Sequence, residues 1–104
     1  MINLDRLKKQ LVIDEGLELK PYHCSADKLT IGVGRNIQEV GITKDEALYL
    51  LGNDIARCAG ECTREFPWFA ELTQLRKEAV INLVFNMGMN TFKKFKKTIA
   101  FIDS

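Results

Sequence analysis

Ile13-Asp14-Glu15-Gly16-Leu17-Glu18-Leu19-Lys20-Pro21-Tyr22, taken up again at Leu29-Thr30-Ile31-Gly32-Val33-Gly34, is the stretch whose reading decides the fold. Just before it, Leu4, Leu7, Leu11 and Val12 recur at helical spacing, with Asn3 as N-cap and Gly16 as stop. That helix ends on Glu15. Carboxylates favour helix N-termini, and the dipole disfavours one at a C-terminus, so Glu15 points to a functional reason for its place. After Gly16 the pattern changes: Pro21, Thr30, Ile31, Val33 and the polar breaks between them predict two or three short strands within residues 17–36. A lone carboxylate between an amphipathic helix and a tight strand segment suits a general acid. Gly32 and Gly34 lack the third glycine and following helix of a nucleotide fingerprint, and predict close backbone approach inside the sheet.

Downstream, Thr43-Lys44-Asp45-Glu46 is a capping box opening a helix with Ala47, Leu50, Leu51, Ile55, Cys58 and Cys62 at helical intervals. Phe66-Pro67-Trp68-Phe69 breaks it. A second apolar helix carries Leu75, Ala79, Val80, Leu83, Val84 and Met87 and stops at Gly88. Thr91 is expected to start a short helix with Phe92, Phe95, Ile99 and Phe101, and Lys93, Lys94, Lys96 and Lys97 between them as a solvated face. The order predicts an α+β plan, mostly helical with a small antiparallel sheet after the first helix. We expect one domain over residues 1–104, with a small β-lobe at about 15–42 and a helical part at about 43–104.

Composition narrows the function classes. The chain is 46% apolar and 28% charged, a globular balance, and its net charge of +1 offers no general argument for nucleic acid, membrane or acidic substrates. Gly41-Ile42-Thr43-Lys44-Asp45-Glu46-Ala47 can pass for the turn of a DNA-binding helix-turn-helix, but Asp45, Glu46 and Asp54 would repel phosphates. Three cysteines, Cys24, Cys58 and Cys62, form no disulfide framework and predict free thiols in a reducing compartment. Cys58 and Cys62 could share a helix face and, with His23, suggest zinc; free cysteine is more commonly a small buried hydrophobe, so no metal or cofactor is expected. The N-terminus has neither a signal-peptide core nor an anchor, and no run approaches the roughly 20 residues of a membrane helix.

Taken together, Asp14-Glu15-Gly16-Leu17, Leu19-Lys20, Tyr22, Thr30-Ile31-Gly32-Val33-Gly34, Ile42 through Ala47, Arg76 through Ala79, Ile81-Asn82, Val84-Phe85 and Met87-Gly88 resemble the phage-type lysozymes, glycoside hydrolase family 24. The resemblance covers essentially the whole chain. It implies a lysozyme-like fold and a bacteriolytic muramidase that cleaves the β-1,4 bond between N-acetylmuramic acid and N-acetylglucosamine in peptidoglycan. It also implies residence in the host bacterial cytoplasm until release to the wall. The family's proton donor falls on Glu15 and its threonine on Thr30, while Cys24 occupies the position that usually holds the second carboxylate. Sugar-contacting positions fall on Asn36, Phe85, Asn86 and Thr98, and Arg35 stands where the family commonly has histidine.

Glycosidases normally use two carboxyl groups, so Cys24 serves in the second role only as a thiolate. His23 beside it is expected on the opposite face of the strand. Family members continue for several helices beyond the equivalent of Ser104. The apolar faces Leu75, Ala79, Leu83 and Phe92, Phe95, Ile99 are therefore expected to lie uncovered and to favour low stability or self-association. The alternative within the same class is a catalytically impaired remnant that binds the wall.

Overall fold

Asn3 caps the first helix as its side chain requires: in the computed structural model, which describes residues 1–103, its Oδ1 accepts the Arg6 amide at 3.0 Å. Helix α1 then runs Leu4–Glu15 and closes on Gly16, whose amide bonds back to the Val12 carbonyl at 2.9 Å with φ at +80°. Three strands follow, β1 Glu18–His23, β2 Leu29–Gly32 and β3 Arg35–Asn36, in an antiparallel sheet of order β1-β2-β3. The fold is α+β, mostly helical with one small antiparallel sheet among the described residues, the plan that the resemblance implies.

The β1–β2 hairpin turns through Cys24-Ser25-Ala26-Asp27-Lys28. The Asp27 amide bonds the Cys24 carbonyl at 2.8 Å and the Cys24 amide bonds the Lys28 carbonyl at 3.0 Å. Asp27 has φ +59°, the left-handed residue that a turn followed by a bulge needs, and Asp tolerates it. Behind the sheet, α2 (Ile37–Val40) is a four-residue helix that periodicity does not reveal. It is pinned by the Leu29 amide on Gln38 Oε1 at 3.2 Å, a Lys28–Glu39 ion pair at 3.0 Å and the Arg35 guanidinium on the Gly41 carbonyl at 3.2 Å.

The chain divides into two compact units, Met1–Lys44 and Asp45–Ser104. In the second, α3 (Lys44–Glu65) begins directly after Thr43, as the capping box requires. A single 3-10 turn at Phe69–Glu71 leads to α4 (Gln74–Met87), which Thr73 caps through its hydroxyl. Cys58, Cys62, Phe66, Phe69, Val80, Val84 and Phe92 form its core. Phe66 stacks on Trp68 at 4.7 Å between centroids and meets Phe92 edge-on at 5.6 Å, both favourable aromatic geometries.

Two expectations need correction. The chain after Gly88 forms two helices, α5 (Met89–Phe92) and α6 (Lys96–Asp103), and Thr91 lies inside the first of them. Phe92 is 1% exposed: it is the largest fully buried side chain among the described residues rather than part of an uncovered face. Leu75 and Phe95 do stay exposed, whereas Ile99 packs against the core. Among the described residues no helix is long and apolar enough to cross a membrane, and no three potential metal-ligating side chains gather at one point.

Candidate active site

Glu15 reaches the sheet because α1 ends on it and Gly16 turns the chain. Its carboxylate lies along the β2–β3 reversal: a Cβ built on Gly34 would stand 3.2 Å from Glu15 Oε2 and 3.7 Å from both Cβ and Cδ. The acid therefore rests against bare backbone, at a place where every other residue type would put a side chain.

Sheet register assembles a second group. Thr30 sits on the central strand opposite Tyr22 of β1 and Asn36 of β3, so these three positions share a face. Cys24, two residues beyond Tyr22, closes the hairpin against Lys28 and continues the same face. His23 pairs with Leu29 and belongs to the opposite one.

Thr30 is 3% exposed, and its hydroxyl donates to the Lys28 carbonyl at 2.8 Å. The half-buried Cys24 thiol is held below its ordinary pKa by hydrogen bonds to its ionised form, from the Lys28 backbone first, then the Thr30 side chain and the Ala26 backbone. Desolvation works against them and is outweighed. A cysteine with this surrounding is a thiolate-forming group, able to take a proton or to act as a nucleophile.

Asn36 has a structural duty that its sequence position does not announce: its Oδ1 accepts the Glu39 amide at 3.1 Å and caps α2. A sugar contact from Asn36 would fall to its amide NH2. Arg35, in the position where the resemblance implies histidine, uses its guanidinium on the Gly41 carbonyl, tying β3 to the end of α2.

In the second unit, Phe85 and Asn86 come together in a groove of about 410 Å³ between α3 and α4. Leu51 and Ile55 form one wall, Ile81 and Phe85 the other, with Asn82 and Asn86 supplying polar edges. Phe85 is 47% exposed, so it presents a ring to the groove and is no core residue. Asn86 Nδ2 donates to Asn82 Oδ1 at 2.8 Å, which orients both amides. An aromatic face flanked by oriented amides suits a polar ring with apolar C–H faces, as sugars have. Thr98 lies exposed on α6 and does not line this groove.

Cys58 and Cys62, weighed as zinc ligands, are buried free thiols in the core of the second unit. Cys58 Sγ lies 3.8 Å from the Ile81 carbonyl, and burial drives Cys62 up to about 12. Sequence reasoning missed the seat that Gly34 makes for Glu15, although paired glycines in a strand signal close approach. It also missed Leu51 and Ile55, which read simply as helix-face residues, and Asn82, which entered only as part of the resemblance.

Residues 13–100 match the family described as phage lysozyme. The endolysin of Acyrthosiphon pisum secondary endosymbiont phage 1 is 39% identical over 82 residues, covering 75% of this chain and 54% of that protein. The chain thus spans about half the length of the curated relative it matches.

Proposed function

The chain belongs to the phage lysozyme family, and from that premise we propose that it is a muramidase hydrolysing the β-1,4 bond between N-acetylmuramic acid and N-acetylglucosamine in peptidoglycan, for lysis of a bacterial host. The observation that carries the reading is the carboxylate of Glu15, delivered by the last residue of α1 onto the glycine turn of the sheet that also holds the Cys24–Thr30 pair. Glu15, protonated, gives its proton to the glycosidic oxygen as the bond from the muramic C1 to that oxygen breaks. Water adds to C1 and the Cys24 thiolate accepts its proton, so one water is consumed and the thiol is left protonated. That route inverts the anomeric carbon. Thr30 positions the thiolate, and Phe85 and Asn86 contact sugar.

The test combines turbidity loss of permeabilised bacterial cells with identification of the new reducing ends after borohydride reduction. Muramitol ends with an inverted initial anomer are expected. Glucosaminitol ends would replace the muramidase by a glucosaminidase, and a retained anomer would make Cys24 the attacking group. Wall sedimenting the protein with no bond cleaved would select the wall-binding remnant. Before release the protein would reside in the host cytoplasm. Leu75, 80% exposed, and Phe101 leave enough apolar surface that self-association is also proposed, with sedimentation velocity as its check.

A further inference from the structure

Two glycines flank Val33 in the β2–β3 reversal, and both hold left-handed backbone, φ +73° at Gly32 and +69° at Gly34. Their surroundings differ. A Cβ on Gly32 would meet nothing within 4 Å, whereas one on Gly34 would meet three atoms of Glu15 and nothing else as near. Turn geometry therefore accounts for Gly32 alone. At Gly34 a second demand is present, because the Glu15 side chain runs along the space a methyl would take. The 3.2 Å approach is tighter than ordinary van der Waals contact, and the nearest atom is the carboxylate oxygen itself. Backbone at Gly34 is fixed on one side by the Ile31–Arg35 register, so the flexible carboxylate, rather than the turn, would give way.

We propose that Gly34 is a positioning residue for Glu15: its missing side chain forms the floor on which the carboxyl group is set for proton transfer. The inference rests on the reading of Glu15 as general acid. Catalytic groups act only within about 0.5 Å of the productive position, and a carboxyl group pushed past that limit loses turnover before it loses binding.

Gly34→Ala and Gly32→Ala separate the two demands, since both pay the same kind of backbone strain and only the first adds a methyl beneath Glu15. With soluble peptidoglycan fragments, Gly34→Ala is expected to lower kcat between about 10- and 100-fold with KM within about twofold. The 13C resonance of the Glu15 carboxyl carbon should move in the same variant. Gly32→Ala is expected to lower Tm by a comparable amount while leaving kcat and that resonance near their parent values. Gly34→Asn covers the case in which Gly34→Ala fails to fold, because Asn accepts positive φ more readily while keeping a Cβ. It should reproduce the loss of kcat with a smaller loss of Tm. An unmoved Glu15 resonance in both Gly34 variants, or equal kcat losses at Gly32 and Gly34, overturns the proposal. A Glu15→Gln chain that cleaves at the parent rate instead overturns the acid assignment, while the carboxyl resonance still reports whether Gly34 seats that group.

Discussion

Cys24 and Thr30 lie on one face of the hairpin, Thr30 opposite Tyr22 and Cys24 two residues further on, and the single proton of the Thr30 hydroxyl has two claimants, the Lys28 carbonyl at 2.8 Å and the Cys24 sulfur. With a neutral thiol the hydroxyl serves the carbonyl; with a thiolate, turning to sulfur is favoured because a charged acceptor makes the stronger bond.

Reactivity of Cys24 should therefore depend on pH in a particular direction. Its folded pKa is lowered, so iodoacetamide should modify native Cys24 with a midpoint below that of the urea-unfolded chain. The stabilisation that goes with the lowered pKa is present above the unfolded thiol's pKa and is lost as pH falls through the folded one. Thr30→Val removes the one side-chain donor among them and should move the native midpoint back upward. If the two midpoints coincide in the parent chain, the hydrogen bonds to sulfur are not formed.

Cys24→Asp should keep lytic activity, Cys24→Ala should lose most of it, and alkylation should mimic the alanine. Equal turbidity loss from all three would make the thiol a bystander.

Glu15→Gln keeps the shape and removes the proton. A general acid contributes roughly 10²–10⁴-fold, so lysis should fall by that order with the far-ultraviolet spectrum unchanged.

The buried thiols of the second unit give an opposite dependence. Cys62 is 0% exposed and raised to about 12, so the folded chain keeps it neutral while the unfolded chain ionises it near pH 8.5. Stability is intact below that pH and should decline from there toward pH 12, by at most about 1.4 kcal/mol per pH unit for this thiol. Urea midpoints measured across that range in Cys62→Val and in the parent chain test this, the variant declining less.

Asn36 and Phe92 test the packing. Asn36→Ala removes the α2 cap and should cost about 0.5–2 kcal/mol, whereas Asn36→Asp should keep most of that stability. If Asn36→Asp nonetheless cuts lysis, the amide NH2 contacts sugar. Phe92→Ala should cost about 3–5 kcal/mol, and Phe101→Ala, at a side chain 76% exposed, within about 0.5 kcal/mol.

What the sequence discloses here follows from range. The ends of α1, α3 and α4 are governed by residues one to three positions away: Asn3 and Gly16, Thr43, and Gly88. They can be read locally. The Cys24–Thr30 neighbourhood also follows once the strands are paired, since period two and a hairpin at Asp27 set Tyr22 and His23 against Thr30 and Leu29, although the register shifts further along toward Glu18. By contrast, Phe92 looks like one more member of an amphipathic stripe, and only the edge-on contact with Phe66, a distant residue in the chain, shows it buried. α2 is too short to show a period, and its cap is a residue that the resemblance gave a different job. Glu15 was legible as a carboxylate placed at a helix C-terminus. The surface it rests on was not, because that depends on atoms Gly34 lacks.

Two of the three sulfurs are sealed inside the second unit, and one is half-open in the first. The molecule thereby carries its own timer. A thiol reagent added to native protein should take up one equivalent promptly, at Cys24. The remaining two should follow only as fast as the helices around Phe92 breathe open. The lag between the first equivalent and the next two then measures how often the helical core exposes itself under native conditions, without heat, denaturant or an attached probe.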